Sequence, residues 1–128
     1  MTKEIVRTEK APAPFQGAPY SQAIRSGGLV FVSGQLAIDP ETNQMIEGGI
    51  GEQTERVMQN LSAILEEAGS SLAQLVKTTI YLADLASFAQ MNDVYGRHVG
   101  SKPPARATIE VSALPQGALI EIEAIGHL

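Results

Sequence analysis

One segment near the middle of the chain carries an apolar stripe at helical spacing, which restricts the folds available to the whole protein. Apolar side chains recur every three or four residues on one face: Val57, Met58, Leu61, Ile64, Leu65 and Ala68. A stripe about 100° wide packs against another layer on one side and leaves the other side to water. Gly69 follows as a natural stop, because glycine adopts the left-handed conformation that ends many helices. The pattern predicts a helix that covers one face of a sheet.

Strand patterns lie on both sides of this helix along the chain. Residues 28–34 form an apolar run bounded by glycines, and residues 76–82 alternate between apolar and polar side chains. Residues 103–111 and 119–125 also alternate, and successive side chains of a strand point to opposite faces. A second amphipathic helix is predicted over residues 87–99. Its predicted inner face consists of Phe88, Met91, Val94, Tyr95 and Val99.

The order of these elements predicts an α+β fold. Strands, a helix, a strand, a second helix and two strands place two helices on one face of a mixed sheet. Two helices cannot cover both faces of such a sheet. We therefore expect an open second face that another subunit covers, with a ligand cleft at that interface.

The two alternating segments near the C-terminus place polar chemistry on one side of each strand. Arg106 lies on one face of residues 103–111, and Glu121 and Glu123 share one face of residues 119–125. If the two strands pair, a guanidinium and two carboxylates share one surface of the sheet, which suits a small anionic substrate. A structural ion pair between Arg106 and either carboxylate explains the same pattern equally well.

Composition excludes several classes of protein and site. The 128 residues fit a single domain over residues 1–128. No apolar run approaches the roughly 18 to 20 residues of a membrane span, and residues 1–10 lack the apolar stretch of a signal peptide, so a cytoplasmic protein without membrane contact is expected. The absence of cysteine excludes thiolate nucleophiles and Cys-based zinc sites, and His98 and His127 stand alone, so no metal site is predicted. The net charge of −5, without a basic stripe, argues against a nucleic-acid partner.

Four further candidate residues have both a functional and a structural interpretation. Tyr20 follows a proline-rich arm, residues 12–19, where its hydroxyl can donate into a cleft or fix a loop. Ser33 lacks the glycine pattern of a nucleophile elbow, so a hydrogen bond from Ser33 and a close ligand approach at Gly34 are expected instead. Asn92 lies one position from the apolar stripe of the second helix, and it is a boundary residue unless it reaches over the sheet edge.

Short fragments spread over nearly the whole chain resemble the RidA family, also called the YjgF/YER057c/UK114 family. They are APYSQ at 18–22, VSGQ at 32–35, VKTT at 76–79, FAQMN at 88–92, and PAR at 104–106 followed by Leu114 and by IEIE at 120–123. Each fragment alone is weak, but together they follow the order and spacing of the family.

The resemblance implies a fold, an assembly and an activity. The fold is a chorismate-mutase-like homotrimer whose sheets form an inner barrel, with helices outside and clefts between subunits. The activity is that of a 2-iminobutanoate/2-iminopropanoate deaminase, which hydrolyses reactive enamines and imines such as 2-aminoacrylate to 2-oxo acids and ammonia. The resemblance implies no metal or organic cofactor.

The resemblance also implies a role for each matching residue. Arg106 binds the substrate carboxylate, and Glu121 positions and deprotonates water or passes a proton to the leaving amine. Tyr20 lines the cleft and assists proton transfer or orientation, while Glu123 is reduced to a supporting role.

The remaining cleft positions of the family fall on Ser33, Gly34 and Asn92. Thr108 stands where deaminase members often carry cysteine; it can still hydrogen-bond to substrate, but covalent thiol chemistry is excluded there. Two alternatives remain beside the deaminase: a module that binds 2-oxo acids without turnover, and an endoribonuclease or translation inhibitor. The net charge of −5 argues against the second.

Overall fold

The computed structural model describes residues 2–128, in which two helices cover one face of a six-stranded sheet. The strands are β1 (Glu4–Val6), β2 (Ala23–Ser26), β3 (Leu29–Gln35), β4 (Ile38–Asp39), β5 (Gln44–Met45), β6 (Leu75–Leu82), β7 (Ala105–Glu110) and β8 (Ile120–His127). The helices are α1 (Ile50–Glu67) and α2 (Phe88–Val99). The small pair β4–β5 stands apart from the large sheet.

The strand order of the large sheet is β1-β2-β3-β8-β6-β7. All neighbours are antiparallel except β6 and β7, which are parallel because α2 forms the crossover between them. The predicted pairing of the two C-terminal strands is wrong, since β6 lies between β7 and β8. Alternation reports which side chains share a face of one strand, but it carries no information about which strand lies beside it.

The predicted helix stripe is confirmed and forms the centre of the core. Val57, Met58, Leu61, Ile64 and Leu65 are all fully buried. They pack on the side chains of β6 and β8 that point toward the helices, among them Ile80, Leu82, Ile120 and Ile122. The helix ends at Glu67, and Gly69 has a φ of 89°, as the stop signal predicts.

The other face of the sheet is open in the single chain. Phe31 and Ile109 on this face are 42% and 46% exposed, and Glu121 and Glu123 lie on the same side. The open face is thus partly apolar, as a surface that another subunit covers would be.

Two predicted faces differ from the structure at the sheet edge. Arg106 is the register partner of Thr78, which is fully buried under the helices, so Arg106 points to the helix side and Ala107 and Ile109 point to the open side. Phe88 is 42% exposed and does not belong to the inner face of α2. Arg106 belongs to β7, the edge strand of the sheet, and Phe88 lies against its guanidinium there.

Candidate functional site

A pocket of about 480 Å³ opens between the proline-rich arm and the open face of the sheet. Four of the predicted site residues line it: Tyr20, Ser33, Gly34 and Glu121. Its apolar wall comes from Phe15, Leu36, Ile38 and Pro115. The arm, the end of β3 and the start of β8 are distant in sequence, and the sheet brings them together.

Glu121 is one of the two carboxylates that line this pocket. It lies on β8 opposite Tyr81, on the face away from the helices. Burial raises the pKa of the Glu121 carboxyl above its ordinary value of 4.5, and the neighbouring charge of Glu123 raises it further. A carboxyl with a raised pKa exchanges its proton more readily near neutral pH, which suits a proton shuttle.

Tyr20 both fixes the arm and faces the pocket. The backbone N–H of Phe15 donates to the Tyr20 hydroxyl oxygen at 2.6 Å, while the residue as a whole is 42% exposed. Because this bond uses a lone pair of the oxygen, the phenolic O–H remains able to donate to a ligand. The two interpretations of Tyr20 are therefore compatible.

Ser33 of β3 anchors the segment that precedes β2. Its hydroxyl donates to the backbone carbonyl of Ser21 at 2.6 Å, so its own proton is already engaged. The Ser33 oxygen can still accept a hydrogen bond from a ligand in the pocket. This geometry agrees with the absence of a nucleophile elbow in the sequence.

Gly34 makes room for the Glu121 carboxyl. A bulge in the β3–β8 ladder between Val32 and Gln35 brings this backbone against the carboxyl. A Cβ at position 34 would lie 2.8 Å from Cδ and 3.1 Å from Cγ of Glu121, and nearer still to its Oε2. The side chain of Glu121 can swing aside, but then the carboxyl leaves its place in the pocket.

We therefore expect Gly34→Ala to fold normally and to lose activity. A displacement of a catalytic group by about 1 Å can cost on the order of 100-fold in rate. The measurement is kcat together with the thermal midpoint of unfolding. Gly96→Ala is the matched control, because a Cβ there meets no atom within 4 Å and the exposed helix position favours alanine. Full activity of Gly34→Ala would show that the Glu121 position is not critical.

The other three predicted residues gather at the sheet edge. The Arg106 guanidinium donates through Nη1 to Oδ1 of Asn92 at 2.8 Å, so Asn92 does reach over the edge. Thr108 lies two residues along the same strand on the same side, and its hydroxyl oxygen is buried without a hydrogen-bond partner among residues 2–128. The Arg106–Asn92 pair is partly exposed at the helix side of β7, whereas the Thr108 oxygen is buried in the single chain.

Within one chain, the two groups of residues do not meet. Arg106 faces the helix side, Glu121 faces the open side, and β6 separates their strands. The expectation that Arg106 and the carboxylates share one surface is wrong, and within residues 2–128 Arg106 forms no ion pair with Glu121 or Glu123.

The sequence did not predict the partners of Glu123 and Arg106. The Tyr81 hydroxyl donates to Glu123, and this bond raises the pKa of Tyr81. Phe88 and Tyr95 of α2 both lie against the Arg106 guanidinium. Phe88, Asn92 and Tyr95 are spaced at i, i+4 and i+7, which places them on one helix face. This spacing was the signal in the sequence that could have indicated a shared partner.

Two classes of site or segment are missing from the part of the chain that the structure describes. Residues 2–128 contain no group of three or more acidic or histidine side chains arranged to hold a metal ion. No helix in this range has both the length and the apolar character needed to cross a membrane.

The sequence of this chain matches known proteins along almost its whole length. A family model described as Endoribonuclease L-PSP, the family that includes RidA, matches residues 8–128. This chain belongs to the RidA family. It is 55% identical over 127 residues to a RutC family protein of Pyrococcus abyssi, covering 99% of this chain and 98% of the relative. It is 42% identical over 125 residues to a 2-iminobutanoate/2-iminopropanoate deaminase of Bos taurus, covering 98% and 90%.

A solved RidA structure shares the fold. RidA from an Antarctic Psychrobacter species superposes with a TM-score of 0.92 at 43% identity, covering 98% of this chain and 99% of that chain. The predicted α+β fold, with two helices on one face of a mixed sheet, is thereby confirmed for this RidA family member.

Proposed function

We propose that this chain hydrolyses the imines 2-iminopropanoate and 2-iminobutanoate, and the enamines in equilibrium with them, to 2-oxo acids and ammonia. The observation that carries the proposal is the pocket in which a carboxyl of raised pKa, Glu121, stands with the Tyr20 hydroxyl and the Gly34 backbone. Family relatives that bear the name of this activity support it.

The pocket of one chain lacks a group that the substrate requires. The substrate carries a carboxylate, whereas the lining includes Glu121 and Glu123 and no lysine or arginine. An anion is not stably held beside two carboxylates without a cation, because like charges repel. A cation must therefore come from outside the pocket.

Arg106 of a neighbouring copy is the cation that we propose. It lies on β7, an edge strand with no neighbour on its outer side, and the open face beside it exposes Phe31 and Ile109. If the open faces pack together, the edge of one copy meets the pocket of the next. A head-to-tail contact forms a ring when its rotation closes, and we propose that here it closes as a homotrimer with one site at each interface.

The reaction requires little from the protein because the iminium carbon is already electrophilic. Arg106 fixes the carboxylate through its paired N–H donors, with Asn92 and Thr108 beside it. Glu121 accepts a proton from water while the water oxygen forms a bond to the iminium carbon, which gives a neutral carbinolamine.

Collapse of the carbinolamine uses the same carboxyl in the reverse direction. Protonated Glu121 donates to the amine nitrogen, and the C–N bond breaks as the C=O bond forms and the hydroxyl proton returns to Glu121. That proton leaves with ammonia as ammonium, so iminium and water become a 2-oxo acid and ammonium. Tyr20 donates a hydrogen bond that orients the carbinolamine.

A coupled assay tests the proposal directly. A pyridoxal-phosphate threonine dehydratase releases 2-iminobutanoate, and semicarbazide traps the imine that escapes hydrolysis. Adding this protein is expected to accelerate 2-oxobutanoate formation and to reduce the trapped fraction. Unchanged trapping would contradict the proposal, and binding of 2-oxobutanoate without acceleration would favour the binding module instead.

The description of the matching family model favours an endoribonuclease as a second candidate. The net charge of −5 opposes it, because nucleic-acid affinity rests on neutralising phosphates with basic side chains. We expect purified protein to leave RNA intact under the conditions in which it hydrolyses imines.

We also place the protein in the cytoplasm, beside the pyridoxal-phosphate enzymes that release its substrates.

A further inference from the structure

The guanidinium of Arg106 rests on an aromatic face of α2. Its Cζ lies 5.4 Å from the ring centroid of Phe88 and 5.1 Å from that of Tyr95, and Asn92 accepts one of its N–H groups. Both distances fall within the range of a cation–π contact. Three side chains of one helix face thus converge on one cation of the neighbouring strand.

These contacts leave most of the hydrogen-bonding capacity of Arg106 unused. A cation–π contact engages a charge without consuming its N–H groups, and a guanidinium has five of them. Asn92 accepts from one, on Nη1. Of the chain that the structure describes, no other side chain accepts a hydrogen bond from Arg106, so a paired set of donors is available to a carboxylate.

The Tyr95 ring is itself held in place from the sheet. Its hydroxyl shares a hydrogen bond of 2.7 Å with the hydroxyl of Thr78, and both residues are buried. Thr78 is the register partner of Arg106 across the β6–β7 pair. The same two strands therefore fix both the backbone of Arg106 and the ring beneath its guanidinium.

We propose that Phe88 and Tyr95 are positioning residues that hold the Arg106 guanidinium with its free N–H donors presented to a carboxylate ligand. The identity of that ligand rests on the proposed function, whereas the ordering of Arg106 does not. An arginine on an edge strand otherwise samples many rotamers, and a binding group that is already ordered loses less freedom when the ligand arrives.

Leucine substitutions that remove one ring at a time test the ligand side of the proposal. Phe88→Leu changes an exposed residue and is expected to leave folding intact, and Tyr95→Leu is the second variant. A cation–π contact of ordinary strength corresponds to about 3- to 30-fold in affinity. We expect KM for the imine and Kd for 2-oxobutanoate to rise by that factor, with kcat nearly unchanged.

Two controls separate positioning from general damage. Tyr95→Phe keeps the ring and is expected to stay within about threefold of wild type, because the cation–π contact survives. Leu85→Ala removes another exposed apolar side chain, 46% exposed, near the start of α2 and is expected to change neither constant. In an Arg106→Gln background, Phe88→Leu should change Kd for 2-oxobutanoate by a smaller factor, since no cation is left for the ring to hold.

Arginine NMR on the ligand-free protein tests the ordering itself. The Nε–H group of Arg106, assigned by its loss in Arg106→Lys, should be ordered in wild type and mobile in both leucine variants. Unchanged order in Phe88→Leu and Tyr95→Leu overturns the inference, whatever the enzyme assays show. Ordered Arg106 with no imine turnover would leave the inference standing and refute the proposed function.

Discussion

Arg106→Ala is expected to abolish the acceleration of imine hydrolysis while leaving the fold intact. The guanidinium is the only proposed cationic partner of the substrate carboxylate, and loss of one partner of a desolvated charge pair costs about 2–5 kcal/mol. That range corresponds to roughly 30- to 5,000-fold in kcat/KM. The measurement is the semicarbazide-trapping assay, with circular dichroism to confirm folding.

Arg97→Ala is the matched control for this change. Arg97 is an exposed arginine of α2, and its removal changes the net charge by the same amount. Its loss is expected to leave kcat/KM unchanged. Equal activity of Arg106→Ala and wild type would remove Arg106 from the site.

Glu121→Gln is expected to reduce kcat by about 100- to 10,000-fold, the usual contribution of a general acid–base group. Glutamine keeps the size and hydrogen-bonding shape of the side chain but cannot carry a proton in either step. In wild type, activity should fall as pH drops through the raised pKa of Glu121, because only the carboxylate deprotonates water. Retention of activity by Glu121→Gln would refute the proposed mechanism.

The raised pKa of Glu121 also predicts that the stability of the fold falls as pH rises, whereas activity rises. The folded state binds the Glu121 proton more tightly than the unfolded state, so ionisation of Glu121 destabilises the fold. This penalty is absent below pH 4.5, grows as pH rises above it, and is complete above the folded pKa. Glu121→Gln should therefore unfold at a higher temperature than wild type at pH 7 and at the same temperature at low pH.

Glu123→Gln serves as the control for Glu121. It removes the neighbouring charge that helps to raise the pKa of Glu121, and it leaves the Glu121 carboxyl in place. We expect the acidic limb of the pH–rate profile to move to lower pH, with activity at neutral pH largely retained. A loss as large as that of Glu121→Gln would assign Glu123 a catalytic role.

The two inactive variants together test whether the site lies between subunits. Arg106→Ala and Glu121→Gln chains are unfolded, mixed and refolded as one population. If each site takes Arg106 from one copy and Glu121 from the next, random assembly restores about one quarter of the sites. If both residues act within one chain, every site keeps a lesion and the mixture remains inactive.

Local patterns alone were sufficient for both helices, for β3, β6, β7 and β8, and for most of their buried faces, but they did not predict β1, β2, β4 or β5. The stripe of α1 and the burial of Ile120 and Ile122 follow from periodicity, because a helix and a strand each repeat their faces at a fixed interval. The family resemblance rests on fragments that lie in the same order as in the family. These features require no knowledge of which elements touch.

Tertiary structure alone decided the neighbours of each strand and the direction of its edge side chains. The insertion of β6 between β7 and β8 comes from a crossover through α2, which alternation does not encode. Arg106 lies on the helix side because β7 pairs with β6 in the register that places it beside the buried Thr78. Glu121 lies on the opposite face, where the bulge in β3 leaves space for its carboxyl at Gly34. Long-range packing thus separates Arg106 and Glu121, which their sequence pattern placed together. Local periodicity determines the two faces of one element, but it does not determine which elements lie beside it.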